Sequence, residues 1–278
     1  MEKGARLIDA AIIEKQTWGE YVLLRLLAPE ISSRADPGQF VMVRINQQLI
    51  PLLRRPFSLL SVDRDEGTLG IFFQKVGVGT ILLSRYFPGE ALSLIGPLGR
   101  GFSFEEVTRG DRVLLVGGGR GIAPLFFLAR RLKERGVQVT VFYGGKTEKD
   151  LPLKKIFEEE KLMDKLVLTT EDGSLGKKGL VTDILEKEWA PQEIAKVFVC
   201  GPEAMMKRIA QLTQARGVPS EFSLEAFMGC GFGVCWGCVR RIRRPEGFQW
   251  VKICEEGPVF PGEVIDWQDE EEFSGRAR

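Results

Sequence analysis

Apolar residues in the first hundred positions fall into short runs separated by turn residues. The clearest runs cover residues 21–26, 40–45, 57–60 and 69–74. Short runs at this spacing are typical of an all-β barrel or sandwich. Turn residues at 36–38 and 63–67 separate the runs, and the second set lies between two apolar runs as in a hairpin. We therefore predict an N-terminal antiparallel β-barrel.

The pattern changes near residue 111, where buried apolar runs begin to alternate with amphipathic segments. Strands are predicted at 112–116, 137–142, 166–170 and 196–199, and helical segments begin near 81, 122, 148, 180 and 202. An alternation of strands and helices predicts a parallel sheet built from βαβ units. The predicted domains are a barrel at 1–102, an α/β domain at 103–222 and a small C-terminal domain at 223–278.

The charge balance removes several classes of function. The 278 residues contain 39 basic and 38 acidic side chains, for a net charge of +1. Because no basic face is evident, neither nucleic acid nor a membrane surface is expected as a partner. No apolar run has the length of a membrane span and no leader pattern is found, so we expect a cytoplasmic protein. Histidine is absent, which excludes a Ser-His-Asp hydrolase.

Four of the five cysteines form one spaced pattern near the C-terminal end of the chain. Cys230, Cys235 and Cys238 follow the spacing C-x4-C-x2-C, and Cys254 comes fifteen intervening residues later. This is the ligand spacing of plant-type [2Fe-2S] ferredoxins. The glycines within the loop allow backbone N–H groups to approach the sulfur atoms. The alternative is a structural zinc site, although zinc sites usually pair two C-x2-C knuckles and only one is present.

The run Arg54-Arg55-Pro56-Phe57-Ser58 suggests a flavin site at the start of a strand. A guanidinium can hold a pyrophosphate, an aromatic ring can lie against the isoalloxazine, and a hydroxyl can bond the reactive nitrogen. An edge strand with solvated arginines explains the same residues.

A second glycine cluster, Gly77-Val78-Gly79-Thr80, precedes the predicted helix at 81–86. A helix start of this kind could receive a phosphate of the same flavin. Alternatively it is a bare turn with a threonine cap.

The strand at 112–116 runs into a glycine-rich turn, Gly117-Gly118-Gly119-Arg120-Gly121, which Ile122, Ala123 and Pro124 extend into a helix. Bare backbone at the start of a helix suits the pyrophosphate of a dinucleotide. The turn is not the Rossmann G-x-G-x-x-G, because Pro124 stands at the place of the last glycine. A purely structural turn is the alternative.

The last predicted strand of the parallel sheet runs into Cys200, Gly201 and Pro202. Ligands of such sheets bind beyond the carboxyl ends of the strands, so Cys200 lies where a nicotinamide would be presented. On its own the residue is as well explained as a small buried apolar side chain.

Together these motifs resemble those of the ferredoxin-NADP reductase superfamily, in which a flavin barrel precedes a pyridine-nucleotide domain. The cysteine pattern and the ending Gly257-Pro258-Val259-Phe260 are similar to those of the electron-transfer subunits of type B, NAD-dependent, bacterial dihydroorotate dehydrogenases. The resemblance covers nearly the whole chain. Two positions depart from the expected pattern: Phe57 replaces a tyrosine, and Gln74 stands where a cation is expected.

The resemblance implies three sets of site residues. It places FAD on Arg55, Pro56, Phe57, Ser58, Phe72, Phe73, Gln74, Gly79 and Thr80. The predicted NAD contacts are Gly117, Gly118, Gly119, Gly121, Ile122, Ala123, Pro124, Cys200, Gly201 and Pro202. The cluster ligands are Cys230, Cys235, Cys238 and Cys254. No acid or base side chain is predicted to be catalytic, because flavins transfer hydride without one.

The resemblance also implies a function in pyrimidine biosynthesis. An FMN-containing partner subunit would oxidise dihydroorotate, and electrons would pass through the [2Fe-2S] cluster and FAD to NAD⁺, in a heterotetramer with two copies of each subunit. Phe232 and Trp236 would shield the cluster or contact the partner, and plain packing explains them equally well. One alternative is the diaphorase subunit of another assembly, such as a ferredoxin:NADP oxidoreductase or a sulfide dehydrogenase. The other is a zinc-stapled binding module without a redox function.

Overall fold

Six antiparallel strands close into a barrel in the N-terminal part of the chain. The computed structural model describes residues 4–46, 48, 50–189 and 194–268. The barrel strands are β1 (Arg6–Trp18), β2 (Tyr21–Leu27), β3 (Phe40–Val43), β4 (Arg55–Asp63), β5 (Thr68–Gln74) and β6 (Ala91–Leu98). They close in the order β1-β2-β5-β4-β3-β6, with two short helices, α1 (Pro29–Ser32) and α2 (Val78–Leu83), outside the barrel. Leu24, Leu59 and Ile71 are fully buried and represent its apolar interior.

A seven-stranded sheet forms the second layer of the molecule. Its strands are β7 (Arg112–Gly118), β8 (Gln138–Gly145), β9 (Lys165–Thr170), β10 (Lys177–Lys178), β11 (Ile194–Cys200), β12 (Ser220–Ser223) and β15 (Val259–Pro261). Its helices are α3 (Ala123–Glu134), α4 (Lys154–Glu159), α5 (Val181–Glu188) and α6 (Glu203–Ala215), with 3-10 turns at Gly119–Ile122 and Glu148–Asp150. The order is β10-β9-β8-β7-β11-β12-β15, and every neighbouring pair except the last is parallel.

The predicted fold class is confirmed, with local differences at two helices. The helix predicted at 81–86 begins three residues earlier, at Val78, because Thr80 caps it from within its first turn. The amphipathic segment at 148–163 holds a 3-10 turn and the six-residue helix α4 instead of one helix. Pro152 lies between them, and proline cannot donate the backbone hydrogen bond that a helix interior needs.

The C-terminal segment leaves the sheet and then returns to it. After β12 the chain forms the cysteine loop, the hairpin of β13 (Val239–Arg244) and β14 (Gly247–Lys252), and the short helix α7 (Ile253–Glu256). It then pairs β15 antiparallel with β12, with Phe260 opposite Phe222. The cysteine loop is therefore held at both ends by one edge of the central sheet. The predicted boundary at 222 falls inside β12, and the three-domain division stays a prediction.

A buried lysine fixes the linker after the barrel to the sheet. Lys196 on β11 donates hydrogen bonds to the carbonyl oxygen of Ser103 at 2.8 Å and to Glu106 at 2.7 Å, and it pairs with the buried Glu221 at 3.1 Å. Burial lowers the pKa of Lys196, but hydrogen bonds and charges from the two glutamates outweigh this and raise it. The lysine is therefore held charged where the first two domains meet.

None of the helices within the described ranges has the length and apolar character needed to cross a membrane.

Candidate functional site

One cleft opens where the barrel, the central sheet and the C-terminal segment meet. The barrel contributes Phe40, Arg55, Pro56, Phe57, Ser58, Phe72, Phe73, Gln74, Val76 and Thr80. The sheet contributes Arg120, Gly121, Ala123, Pro124 and Cys200, and the C-terminal segment contributes Ser223, Leu224, Glu225, Ala226, Met228 and Pro258. The predicted flavin and nucleotide residues therefore face a single space.

The barrel wall of the cleft consists of the start of β4 and the end of β5. These strands are neighbours in the barrel, and the rings of Phe57 and Phe73 lie 5.4 Å apart in a tilted arrangement. Phe57 is 8% exposed, so its ring offers an apolar face at the cleft with little contact with water. An apolar aromatic wall beside a guanidinium and a hydroxyl is a chemically suitable surface for a flavin.

The two adjacent arginines have different surroundings. Arg54 donates to the carbonyl and hydroxyl oxygens of Ser93 on β6, at 2.7 and 3.0 Å. Arg55 lines the cleft instead, and one of its terminal nitrogens donates to the carbonyl oxygen of Leu53 at 2.7 Å. Arg54 therefore links the start of β4 to β6, while the guanidinium of Arg55 is available to an anionic ligand in the cleft.

The start of α2 lies beside Arg55. A side-chain carbon at Gly79 would stand 3.4 Å from Nε of Arg55, so the glycine keeps this side of the guanidinium open. The Thr80 hydroxyl accepts the backbone N–H groups of Val76 and Gly77, at 2.9 and 3.2 Å. Thr80 thus acts as a helix cap while it also lines the cleft.

The glycine turn after β7 is packed tightly against the turn after β11. A side-chain carbon at Gly121 would stand 2.7 Å from both the carbonyl oxygen of Cys200 and the Cα of Gly201. At Gly118 the carbon would stand 2.6 Å from Pro202, and at Gly117 it would collide with Ile122. Three of these glycines are therefore required by close contact within the protein. Gly119 has open space around it and is left-handed, with φ of +53°.

Cys200 is the last residue of β11 and lines the cleft. Its neighbours in register are Gly117 on β7 and Ser223 on β12. Burial raises the pKa of the Cys200 thiol well above its ordinary value, and the charge of Glu225 adds to the effect. The thiol is therefore neutral, which suits an apolar neighbour of a ligand and not a nucleophile.

The other four cysteines come together in two pairs. The Cys254 backbone N–H donates to the sulfur of Cys238 at 3.4 Å, and the two thiols are within hydrogen-bond reach of each other. The Cys230 and Cys235 thiols form the second close pair. Within the described ranges, no three His, Cys, Asp or Glu side chains are arranged to hold one metal ion. Two pairs of sulfurs fit two irons with two thiolates each better than they fit one tetrahedral zinc.

Backbone N–H groups of the loop point at the sulfur atoms. Gly233 donates to Cys254 at 3.2 Å. Burial raises the pKa of Cys230, but the N–H groups of Phe232, Cys235 and Val234 outweigh burial and lower the pKa to about 6. Burial and the adjacent Cys238 raise the pKa of Cys254 to about 12. The N–H groups around Cys230 are thus placed to stabilise negative charge on its sulfur, as a metal ligand requires.

The cysteine loop contacts the barrel directly behind the cleft. Gly231 is so close to Met42 on β3 that any side chain at this position would collide with it. Met42 lies opposite Pro56 in the pairing of β3 with β4, and Pro56 lines the cleft. On the other side, the lining residue Met228 comes two positions before Cys230. The cysteine site and the cleft are therefore adjacent.

Burial differs across the four sulfur ligands. Cys238 and Cys254 are buried, Cys230 is partly exposed and Cys235 is exposed. The residues around the open side are apolar, with Phe227, Phe232, Val234 and Trp236 between 51% and 95% exposed. We call these four apolar residues the cluster-side patch. The cysteine site therefore has one face toward solvent and one toward the protein interior.

Most predicted site residues meet at the cleft or at the cysteine site. The predicted contacts that are not among the lining residues are Gly79, Gly117, Gly118, Gly119, Ile122, Gly201 and Pro202. Two features of the cleft were not predicted from the sequence: the segment at 223–228, and the ion pair at 3.4 Å between Arg120 and Glu225. Because β12 has only four residues, its pattern of apolar and polar positions is too short to predict a strand. The rule that ligands bind beyond the carboxyl ends of parallel strands could have indicated Ser223.

Comparison with known proteins agrees with this arrangement. Residues 115–211 match the oxidoreductase NAD-binding domain, and residues 225–266 match the iron-sulfur cluster binding domain of dihydroorotate dehydrogenase B. The structure of an NADH-dependent reduced ferredoxin-NADP oxidoreductase superposes with a TM-score of 0.80 and 32% identity, covering 94% of this chain and 90% of that one. A ferredoxin NADP⁺ reductase from Neisseria gonorrhoeae, with bound FAD and NADP, shares the fold with a TM-score of 0.64 at 17% identity, over 76% of this chain and 92% of its own. The fold and site thus define an oxidoreductase of the ferredoxin-reductase type that carries an iron-sulfur domain.

The curated relatives narrow this class to one family. A dihydroorotate dehydrogenase B (NAD(+)) electron transfer subunit from Desulforamulus reducens is 40% identical over 87% of this chain and 90% of its own length. One from a Geobacillus species is 40% identical over 82% of this chain and 86% of its own. The chain belongs to the family of dihydroorotate dehydrogenase B electron transfer subunits. The predicted family and electron-transfer function are confirmed, and the cofactor predictions are confirmed at the level of domains and fold.

Proposed function

We propose that this chain receives electrons from a separate FMN-containing subunit that oxidises dihydroorotate, and passes them to NAD⁺. The path uses a [2Fe-2S] cluster on Cys230, Cys235, Cys238 and Cys254, and FAD in the cleft. One observation carries the proposal: the cysteine loop adjoins the cleft on two sides, through Met42 of the barrel and through the segment that ends in Met228. When bound, FAD supplies the exchange between single electrons and a hydride.

The residues of the cleft bind and orient the cofactors in this proposal. Arg55 offers a guanidinium to the pyrophosphate of FAD, Phe57 and Phe73 give an apolar wall, and Ser58 supplies a hydroxyl beside it. On the opposite wall, Gly121 and Pro124 line the cleft at the helix start after β7, where the pyrophosphate of NAD would bind. The neutral thiol of Cys200 lies against the nicotinamide and donates no proton to the reaction.

The partner subunit is proposed to dock on the cluster-side patch. The exposed sulfur ligand, Cys235, lies within this patch of Phe227, Phe232, Val234 and Trp236. Large exposed apolar side chains grouped around a redox centre mark an interaction surface. Electrons would enter from this side and leave toward the buried Cys238 and Cys254. We further propose a heterotetramer with two copies of each subunit, located in the cytoplasm.

The second candidate function is that of an NADH-dependent reduced ferredoxin-NADP oxidoreductase subunit. It is favoured by one observation, the superposition on that protein over 94% of this chain. Both candidates need the same cleft and cluster, so they differ in the partner and in the electron donor.

The native complex, purified anaerobically, separates the candidates. We expect reduction of NAD⁺ with dihydroorotate as the donor, and one orotate formed per NADH. The isolated chain is the control, and it should oxidise NADH with an artificial acceptor but not react with dihydroorotate. A complex with intact flavin and cluster that forms no orotate would support the second candidate. A colourless chain with one zinc would contradict both.

A further inference from the structure

Lys252 makes three contacts at once around the cysteine loop. It is the last residue of β14, two positions before Cys254, and its side chain is 17% exposed. The ammonium donates to the carbonyl oxygen of Gly233 at 2.7 Å and pairs with Glu255 at 2.5 Å. It also lies 4.9 Å from the centre of the Trp236 ring, over its face. A single cation thus connects both halves of the loop.

The two loop residues that Lys252 contacts are in unusual conformations. Gly233 has φ of +84°, and its N–H donates to the sulfur of Cys254 at 3.2 Å. Trp236, between Cys235 and Gly237, has φ of +55°, a left-handed conformation that bulky residues rarely adopt. The hydrogen bond to Gly233 and the cation–π contact to Trp236 help to hold these conformations. The same contacts keep the lysine charge next to the sulfur ligands.

A positive charge at this place favours one oxidation state of the cluster. Reduction by one electron makes the cluster more negative by one charge, with no bond broken and no proton required. A nearby cation and N–H groups that point at sulfur stabilise the more negative form. We infer that Lys252 is a positioning residue that raises the reduction potential of the [2Fe-2S] cluster. Glu255 partly opposes it, and the inference rests on the proposed cluster ligands.

The test is a redox titration of the cluster followed by electron paramagnetic resonance in the purified complex. Lys252→Met keeps the length of the side chain and removes its charge. At a fixed potential near the midpoint we expect the ratio of oxidised to reduced cluster to rise roughly tenfold, a downward shift of about 59 mV for one electron. Lys252→Arg should restore most of the potential. Lys155→Met, at an exposed position on α4, removes the same charge far from the loop and should leave the potential unchanged.

A second variant separates electrostatics from loosening of the loop. Glu255→Gln removes the opposing carboxylate and should shift the potential upward. If both variants shift it downward, or if Lys252→Met leaves it unchanged with a full cluster signal, the inference is wrong. If Lys252→Met loses the cluster, Lys252→Gln, which keeps a donor for the Gly233 carbonyl but no charge, is titrated in its place and must show the same downward shift. Absence of a [2Fe-2S] signal in the unaltered protein would instead contradict the proposed function.

Discussion

Two glycine-rich segments face the same cleft region, and their glycines serve different purposes. In the turn at 117–121, Gly117, Gly118 and Gly121 are needed because another part of the protein occupies the space of a side chain. In the loop at 229–238, Gly231 and Gly233 have positive φ, and Gly233 directs an N–H group at a sulfur ligand. The first segment is shaped by packing, and the second combines packing of Gly231 against Met42 with an N–H contact from Gly233 to a cysteine sulfur. Similar composition therefore does not imply a similar function.

The cysteines next to the two segments give the largest expected contrast. Cys238→Ser removes a buried sulfur from the close pair with Cys254, and we expect complete loss of the visible absorption of the [2Fe-2S] cluster. Cys200→Ala, beside the glycine turn, removes the fifth cysteine and should retain the full iron content. The measurement is iron and sulfide per chain after anaerobic reconstitution. Equal loss of iron in both variants would contradict the division between the segments.

A methyl group in the glycine turn should be the next largest effect. Gly121→Ala places a carbon 2.7 Å from backbone atoms of Cys200 and Gly201, which cannot move independently, so we expect about 3 kcal/mol lower free energy of unfolding. Gly119→Ala meets no atom within 4 Å and should cost only about 1 kcal/mol, from its left-handed backbone. Urea denaturation followed by fluorescence measures both. A larger loss for Gly119→Ala would show that packing does not govern this turn.

The smallest expected effect is in the cysteine loop. Gly233→Ala requires a left-handed alanine, at roughly 1–2 kcal/mol, and weakens the N–H contact with Cys254. The visible absorption of the cluster should be lost about tenfold faster when a chelator is added, since 1.4 kcal/mol corresponds to a factor of ten. Gly237→Ala is the control, because its φ is not left-handed and the new carbon stands 3.5 Å from the sulfur of Cys235. Similar bleaching rates for the two variants would contradict a conformational requirement at Gly233.

The sequence was most informative where chemistry depends on spacing along the chain. Cys230, Cys235 and Cys238 are close in sequence because one loop must surround the cluster, so their spacing alone indicated the ligand set. The alternation of apolar runs likewise predicted a barrel followed by a parallel sheet. Neither prediction needed contacts between distant residues.

Other features depended on contacts that the pattern of residues does not record. Arg54 and Arg55 are adjacent and chemically identical, yet one bonds Ser93 across the barrel and the other faces the cleft. The segment at 223–228 gave no signal, although it connects the cleft to the cysteine loop. In each case the deciding partner lies far away in sequence.

The sequence by itself therefore determined the fold class and the family motifs and predicted four sulfur ligands, because these follow from local periodicity and short spacing. Only the tertiary structure decided that flavin and nucleotide residues share one cleft, that the cysteine loop contacts the barrel at Met42, and that its exposed side is apolar. The reason is physical: closure of the barrel pairs Arg6 with Gly96, the return of β15 pairs Pro261 with Glu221, and Gly231 then meets Met42, which is far away in sequence. Which side chains meet there is set by packing.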